Sequence, residues 1–213
     1  SLGAEAMVLT DIICTSVPQI DIVSIDTGRL HEESYELLAK LQRRYQNRIR
    51  VIYPDGQDVC DLVTRQGING FFDSPEARSA CCNVRKVVPF GKFVAGYAAW
   101  VTGVRREQSK ARAAGEASEW DAQNGLHKLS PLLEWTEEQI WSYIRARHLP
   151  FNSLHEKGYP SIGCAPCTRA IMPGEDHRAG RWWWEQAEQR ECGLHPKSRT
   201  AARVVAAGAS AQG

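Results

Sequence analysis

Short apolar runs alternate along the chain with longer stretches in which apolar residues recur at helical spacing. Residues 20–25 have the near-continuous apolar character of a buried parallel strand. From residue 32 to residue 46, three leucines and a tyrosine fall on one face of a helix. Residues 49–53 and 97–102 are the next strand candidates. This alternation predicts an α/β fold with a doubly wound, mostly parallel sheet and helices on both faces.

Further helices are predicted from their end signals. Residues 81–88 should form a helix that ends before Pro89, because proline disfavours helical geometry in the residue before it. Residues 136–139, Thr-Glu-Glu-Gln, match a capping box ahead of an apolar helical pattern, with basic residues in the last turn. The remaining predicted helices are short and lie at residues 7–9, 58–66 and 182–186.

The same pattern of apolar and polar residues sets the limits of the domain. Residues 1–197 are interpreted as one domain, without an internal repeat. Residues 198–213 are rich in alanine, glycine and serine, and they are predicted to be a disordered tail. No strand precedes the loop at residues 1–5, which indicates that the fold is truncated at its N-terminus.

Charge and hydropathy exclude several function classes. The chain has 26 lysines and arginines against 25 aspartates and glutamates, a net charge of +1. It therefore has no excess of positive charge to bind a nucleic acid or an anionic membrane. No apolar run approaches the ~20 residues that cross a bilayer, and no signal peptide opens the chain. Neither export nor a membrane span is predicted.

Seven cysteines is an odd number and too few for a disulfide scaffold. A chain of this length can bury a core without disulfide bridges. Clustered cysteines are therefore interpreted as metal ligands or redox groups in a reducing compartment, the cytoplasm. Cys14 and Cys60 sit among apolar residues and are predicted to be packed in the interior.

Four of the cysteines form two close pairs, Cys81-Cys82 and Cys164/Cys167. Adjacent side chains on a helix diverge, so Cys81 and Cys82 do not easily bind one zinc ion through bonds of ~2.3 Å. In a four-iron cluster each cysteine binds its own iron, and the divergence is tolerable. The pairs therefore favour a [4Fe-4S] cluster. The alternative is that the first pair is buried packing and the CxxC pair is a redox site.

Two further residues carry candidate chemistry. Lys86 follows Cys82 by four residues, so its ammonium group should reach the cluster edge or a nearby anion. Cys192 stands apart from the pairs, beside Gly193 and three residues before His195. A nearby cation such as His195 would lower the pKa of the Cys192 thiol and activate it as a nucleophile. An incidental exposed cysteine is the alternative interpretation.

Residues suited to anion binding occur at three places. Ser1 and Gly3 offer a hydroxyl and a glycine at a helix N-terminus. Asp26 and Arg105 follow predicted strands, where ligands bind in doubly wound sheets. The arginines that could hold a phosphate or sulfate in a bidentate manner are Arg105, Arg106, Arg178 and Arg181.

With these residues assembled, the chain resembles the assimilatory adenylyl-sulfate and phosphoadenylyl-sulfate reductases of the PP-loop nucleotide-binding superfamily. The resemblance covers residues 1 to about 197 and includes the SLGAE, IDTGRLHEE, GVRREQS, SPLLEWTEEQIW and ECGLH segments. The two cysteine pairs resemble the cluster ligands of the adenylyl-sulfate branch, which the phosphoadenylyl branch typically lacks. The resemblance therefore selects adenylyl sulfate as the substrate.

The resemblance also implies a reaction. Cys192 resembles the nucleophile that attacks the sulfate sulfur and expels AMP, after which thioredoxin or a similar dithiol releases sulfite. Lys86 resembles the basic residue between cluster and substrate. Ser1 and Gly3 match the PP-loop. The turn Asp26-Thr27-Gly28 matches a nucleotide contact, and the substrate arginines match Arg105, Arg178 and Arg181.

Other interpretations stay open at this point. Phosphoadenylyl-sulfate reduction needs a further cation for the 3′-phosphate and no cluster. A non-catalytic domain in which the four cysteines hold structural zinc is the alternative from another class. The sequence leaves self-association into a homo-oligomer undecided, and the dithiol must come from another protein.

Overall fold

A computed structural model describes residues 2–109, 112–186 and 194 of the chain. Its first α/β unit agrees with the sequence pattern. Strands β1 (Ile22–Ile25) and β2 (Ile49–Ile52) pair in parallel, and helix α2 (Glu32–Arg44) connects them. The α/β class with parallel strands is therefore confirmed, and residues 26–28 follow directly from the carboxyl end of β1.

A second sheet has three strands in the order β3-β5-β4. Strand β3 (Ala99–Val101) lies within the strand predicted at residues 97–102. It pairs in parallel with β5 (Leu126–Leu129), which was not predicted. Strand β4 (Ser118–Asp121) pairs antiparallel to β5 and was not predicted. Its sequence, Ser-Glu-Trp-Asp, is short and mostly polar, so it has no apolar pattern to mark it as a strand.

The main apolar core lies between α1 (Ala4–Ser16), α2 and α6 (Glu137–Ala146). The capping box predicted for α6 is confirmed, since Thr136 and Gln139 exchange hydrogen bonds of 3.1 and 2.8 Å. The leucine face of α2 is buried in this core, as the spacing predicted. The core residues that α1, α2 and α6 contribute include Met7, Val8, Leu37, Leu38, Leu41, Ile140 and Ile144.

The predicted end of a helix before Pro89 is wrong. Helix α4 (Pro75–Cys82) passes through a π-helical turn, Asn83–Val87, into α5 (Val88–Val94). Pro89 lies in the first turn of α5, where a backbone N–H is not needed, and the wider π turn replaces the bonds that its ring would disrupt. The helical path therefore continues past the proline.

Two other differences concern predicted short helices. Residues 182–184 form a turn, so the short helix predicted there is wrong. Helix α3 (Gly56–Gln66) is two residues longer than predicted because the Asp55 side chain accepts bonds from the Gln57 and Asp58 amides. Ser1, Cys192, His195 and the tail at residues 198–213 lie outside the described residues.

Within the part of the chain that the structure describes, no helix combines the length and apolar character needed to span a membrane.

Candidate functional site

The two cysteine pairs come together around one pocket. Cys81 and Cys82 end helix α4, and Cys164 and Cys167 flank a single helical turn of the loop after α6. Cys82, Cys164 and Cys167 are buried and Cys81 is half-buried. Thiols separated by about 80 residues in sequence thus share one interior space.

The π turn after α4 adds two cations to this pocket. Arg85 and Lys86 lie in the turn and line the pocket beside Cys81 and Cys82. A π turn is wider than an α-helical turn, so residues four and five positions apart come onto one side. The positive charge of Arg85 acts to lower the pKa of the Cys81 thiol, and that of Lys86 acts to lower the pKa of the Cys164 thiol across the pocket. The Lys86 ammonium therefore reaches the cysteine pair from the other element.

The turn after β1 forms the adjoining wall. Gly28 has a positive φ of 70°, and its amide donates to the Asp26 carboxylate at 2.8 Å. Thr27 is 1% exposed, and its hydroxyl lies 3.2 Å from the Cys164 sulfur. Arg85 donates to the Thr27 carbonyl at 2.7 Å. The predicted nucleotide turn is thus bonded directly to the cysteine pocket.

The thiols differ in their ease of ionisation. Burial raises the pKa of Cys81, and burial together with the neighbouring Cys164 raises the pKa of Cys167 to about 12. Burial also opposes ionisation of Cys164, but the Lys86 charge, the Thr27 hydroxyl and the Arg181 charge outweigh it and lower its pKa. Cys164 is therefore the thiol that the surrounding cations most favour as a thiolate.

Arginines around the pocket have few carboxylate partners. Arg29 donates to the Ile68 carbonyl and the Asn69 side chain, and Arg85 donates to the Thr27 carbonyl. Arg78 does have an acid beside it, in a buried ion pair of 2.6 Å with Glu185, and it also interacts with Cys82. Arg85 Nε is buried and has no hydrogen-bond partner among the described residues. Buried positive charge without carboxylates calls for an anion in the pocket.

Residues 178–182, here called the returning segment, pack against the other side of the pocket. The Trp182 amide donates to the Cys167 carbonyl at 3.1 Å, and Thr168 and Arg181 form an antiparallel bridge. Trp182 has a φ of 44°, which is strained for a bulky residue, and its side chain is fully buried. Its ring packs with Cys164 and Cys167, and its Nε1–H has no partner.

The second group of predicted residues lies at the start of α1. Gly3 is the N-cap residue of α1, and Glu5 in its first turn pairs with Arg105 Nε at 2.9 Å. Arg105 is 1% exposed, and its Nη1 also meets Glu107 at 3.0 Å. Two carboxylates therefore already match the Arg105 charge, and the prediction that Arg105 binds substrate stays a prediction.

Of the remaining predicted residues, some lie within the described part of the chain and some lie outside it. Arg178 and Arg181 are buried in the returning segment. Leu194, two positions after Cys192, packs against a cluster formed by Phe90, Val94 and Leu126. Ile25, the last residue of β1, packs against the same cluster.

Metal geometry and the other cysteines add two findings. Among residues 2–109, 112–186 and 194, no three His, Cys, Asp or Glu side chains are arranged to hold a single metal ion. Cys60 is exposed on α3, so its predicted interior position is wrong, whereas Cys14 is half-buried. The face of α3 that carries Cys60 points away from the core. Leu62 is the one buried residue of this helix.

Sequence reasoning missed Arg29, Arg78, Arg85 and Trp182. One signal was available, because Arg85 follows Cys81 by the same four residues that separate Lys86 from Cys82. Arg78 has the same signal, because it precedes Cys82 by four residues on α4. Arg29 and Trp182 reach the pocket through contacts that are distant in sequence, which no local spacing indicates.

Comparison with known proteins gives the family. The family model described as the phosphoadenosine phosphosulfate reductase domain matches residues 1–170. A protein of Allochromatium vinosum named adenosine 5'-phosphosulfate reductase is 55% identical over 92% of this chain and 76% of its own length. A protein of the same name from Agrobacterium fabrum is 50% identical over 92% of this chain and 75% of its own.

Solved structures agree on the fold. The phosphoadenylyl-sulfate reductase of Candida auris superposes with a TM-score of 0.66 at 25% identity, over 80% of each chain. The FMN adenylyltransferase of Candida glabrata, at 19% identity and a TM-score of 0.52, covers 89% of this chain and 63% of its own and shares the fold alone. The extent of the family match and the identity to these relatives show that the chain belongs to the phosphoadenosine phosphosulfate reductase family.

Proposed function

We propose that this oxidoreductase reduces adenylyl sulfate to sulfite and AMP, as a step of sulfate assimilation. The observation that carries the proposal is the pocket in which four cysteines meet Arg29 and Arg85, whose hydrogen bonds within the described residues go to neutral oxygens. The relatives named for adenosine 5'-phosphosulfate, at about half identity over most of the chain, support the same substrate. Thiolates and an anionic substrate together balance this buried positive charge.

The four cysteines suit a [4Fe-4S] cluster bound by Cys81, Cys82, Cys164 and Cys167. Four thiols are the ligand set of such a cluster, and the fully buried Trp182 Nε1–H, which lacks a partner, is a donor suited to a sulfur acceptor. The four thiols line one pocket, where each could bind its own iron. When bound, the cluster supplies iron–thiolate bonds that join the end of α4 to the loop of Cys164.

The substrate's anionic groups would meet the arginines and Lys86. Arg178 and Arg181 lie in the segment that closes the pocket, and Lys86 points across it to Cys164. Asp26, Thr27 and Gly28 would hold the nucleotide at the end of β1, where ligands bind in this class of sheet. Ser1, Gly3 and Arg105 are proposed as further contacts at the start of α1.

The covalent step belongs to Cys192. Its thiolate would attack the sulfur of the sulfuryl group, forming an S–S bond as the S–O bond to AMP breaks, so AMP leaves with the oxygen and its electron pair. His195 would favour the thiolate by its positive charge. Leu194 supports this assignment, because it packs on the cluster that also contacts the last residue of β1, next to Asp26.

A dithiol reductant completes the reaction. Thioredoxin or a similar dithiol would attack the Cys192 sulfur, and sulfite would leave with the electron pair of the broken S–S bond. The mixed disulfide then resolves within the dithiol, which loses two electrons and restores the Cys192 thiol. This requirement for free thiols supports a reducing compartment, the cytoplasm.

Phosphoadenylyl sulfate is the second candidate substrate. The Candida auris reductase for that compound superposes over 80% of the chain, which favours a shared fold and related chemistry. Sulfite release from the two compounds, measured side by side with added thioredoxin on iron-loaded protein, separates the candidates. Faster release from adenylyl sulfate is expected. Equal or faster release from phosphoadenylyl sulfate would overturn the proposed substrate.

A further inference from the structure

The guanidinium of Arg181 is held by neutral groups. Its Nη1 donates to the Ser161 hydroxyl at 3.3 Å and to the Ile162 carbonyl at 3.2 Å. Its carbon centre lies 4.6 Å from the centroid of the Trp182 ring. Its Nε is buried and has no hydrogen-bond partner among the described residues. The hydrogen bonds of the guanidinium within the described residues thus go to neutral groups, and its positive charge is left for an anion to balance.

Gly163 is one of the residues that surround the Arg181 guanidinium and form its binding position, here called its seat. A Cβ at position 163 would lie 2.3 Å from Arg181 Nη2 and 2.6 Å from its Cζ, distances far below van der Waals contact. The φ of Gly163 lies outside the positive range that favours glycine, so another residue could adopt its backbone conformation. The glycine is therefore required for space, and that space is filled by the Arg181 guanidinium.

The Arg181 side chain has little room to move away from such a contact. The Trp182 ring packs against the guanidinium, and Trp182 is itself fully buried in a strained backbone conformation. Arg181 is also tied to Thr168 through the antiparallel bridge, and the Gly163 amide donates to the Thr168 hydroxyl at 3.1 Å. A side chain at position 163 would therefore push the guanidinium out of its seat.

We propose that Gly163 is a positioning residue that seats the Arg181 guanidinium and so sets the affinity for the sulfate or phosphate group of the substrate. The inference rests on the proposed function, in which Arg181 binds adenylyl sulfate. Gly163 acts by leaving room for the guanidinium, so its effect requires Arg181 to be present.

A double-mutant cycle tests this dependence. Binding of adenylyl sulfate is measured by calorimetry in iron-loaded Cys192→Ser protein, in which the covalent step is blocked, with Gly163→Ala, Arg181→Ala and both changes together. Gly163→Ala and Arg181→Ala should each weaken binding roughly 10- to 100-fold, the range for loss of a charge-assisted hydrogen bond. The double variant should bind as Arg181→Ala does, because the added methyl then occupies vacated space.

A matched control is Gly56→Ala, since a Cβ at position 56 meets nothing within 4 Å. Its binding and iron content should equal those of the parent. Normal binding by Gly163→Ala beside weak binding by Arg181→Ala would overturn the positioning role and leave the proposed function standing. Normal binding by Arg181→Ala would instead remove Arg181 from the proposed substrate site.

Measuring the iron content distinguishes a clash with Arg181 from a direct effect of the substitution on the neighbouring Cys164. Iron lost in Gly163→Ala and regained in the double variant would support a clash with Arg181. Iron lost in both, or a double variant that binds more weakly than Arg181→Ala, would contradict the proposal, because Gly163 would then act without Arg181.

Discussion

Two buried arginines of this chain have opposite surroundings. Arg105, at the start of α1, is paired with Glu5 and Glu107. Arg181, beside the cysteine pocket, contacts a hydroxyl, a carbonyl and an indole ring, and its Nε lacks a partner. Burial is nearly the same, at 1% and 7% exposed. The difference is charge compensation, which in the second case is left to a ligand.

The same contrast extends to the regions around the two arginines. Polar groups near α1 are matched within the protein, as in the case of buried Asp11, which accepts bonds from Tyr45, Tyr143 and Arg147. Around the cysteine pocket, Arg29 and Arg85 bond to neutral oxygens in the described part of the chain. We infer that the charges near α1 chiefly stabilise the fold and that the charges of the pocket region make the stronger contacts to an anionic ligand.

Removal of the thiols should have the largest effect on the pocket region. Cys81→Ser or Cys82→Ser protein should lose most of its iron and the broad visible absorbance near about 400 nm, because serine is a poor ligand for the cluster iron. Cys14→Ser, outside the pocket, should keep both. Metal analysis and absorbance on the purified proteins give the result. Retention of four irons and the full spectrum by Cys81→Ser or Cys82→Ser would remove that residue from the ligand set.

Loss of a pocket cation should stop turnover while the cluster stays in place. Lys86→Ala should lower kcat roughly 100-fold or more, since a preorganised charge beside the reacting group is removed. Its iron content should equal that of the parent, because an ammonium group does not ligate iron. Lys92→Ala, exposed on α5, is the matched control and should turn over normally. Equal activity of the Lys86 and Lys92 variants would contradict the role of Lys86.

The two arginines themselves provide a direct contrast. Arg105→Ala should lower the free energy of unfolding by about 2–4 kcal/mol, because it leaves the largely buried Glu5 carboxylate without its partner. Arg181→Ala should change stability much less and weaken substrate binding more. Denaturant unfolding and calorimetric binding on both variants give the comparison. A greater loss of affinity in Arg105→Ala would reverse the assignment of the two regions.

A smaller effect is expected at Asp11. Its pKa is lowered because hydrogen bonds from Tyr45, Tyr143 and Arg147, with the Arg147 charge, outweigh burial, which acts to raise it. A lowered pKa in the folded state stabilises the protein above the unfolded value of 3.8, and this contribution disappears as the pH falls through the folded pKa.

Asp11→Asn should therefore cost about 1–2 kcal/mol of unfolding free energy near neutral pH, with a smaller difference below pH of about 4. Asp61→Asn, on the exposed face of α3, should show neither change. Urea unfolding at several pH values is the measurement. A difference between parent and Asp11→Asn that grows as the pH falls would show that the carboxylate does not contribute as described.

Local patterns predicted those elements whose burial is continuous or periodic. The parallel strands β1, β2 and β3 and the capped helix α6 belong to this class. The polar strand β4 and the π turn after Cys82 do not, because each depends on neighbours that are distant in sequence. Local spacing gave no reason to continue the helix through Pro89.

The candidate site shows the same division. The cysteine pairs were visible in sequence because two thiols lie close together in each pair. Gly163 and Trp182 were not recognised, since one matters for the space it leaves and the other for a ring buried by the returning segment. Packing in three dimensions, and not residue type, identifies such positions.

The most direct test is to trap the covalent intermediate. Iron-loaded parent protein is incubated with adenylyl sulfate in the absence of reductant, and the modified peptide is identified by mass spectrometry. One sulfonate on the peptide that contains Cys192, removed by thioredoxin with release of sulfite, is the predicted result. Cys192→Ser should retain iron but form no adduct. An adduct on Cys14 or the exposed Cys60, or normal sulfite release by Cys192→Ser, would contradict the proposed reaction.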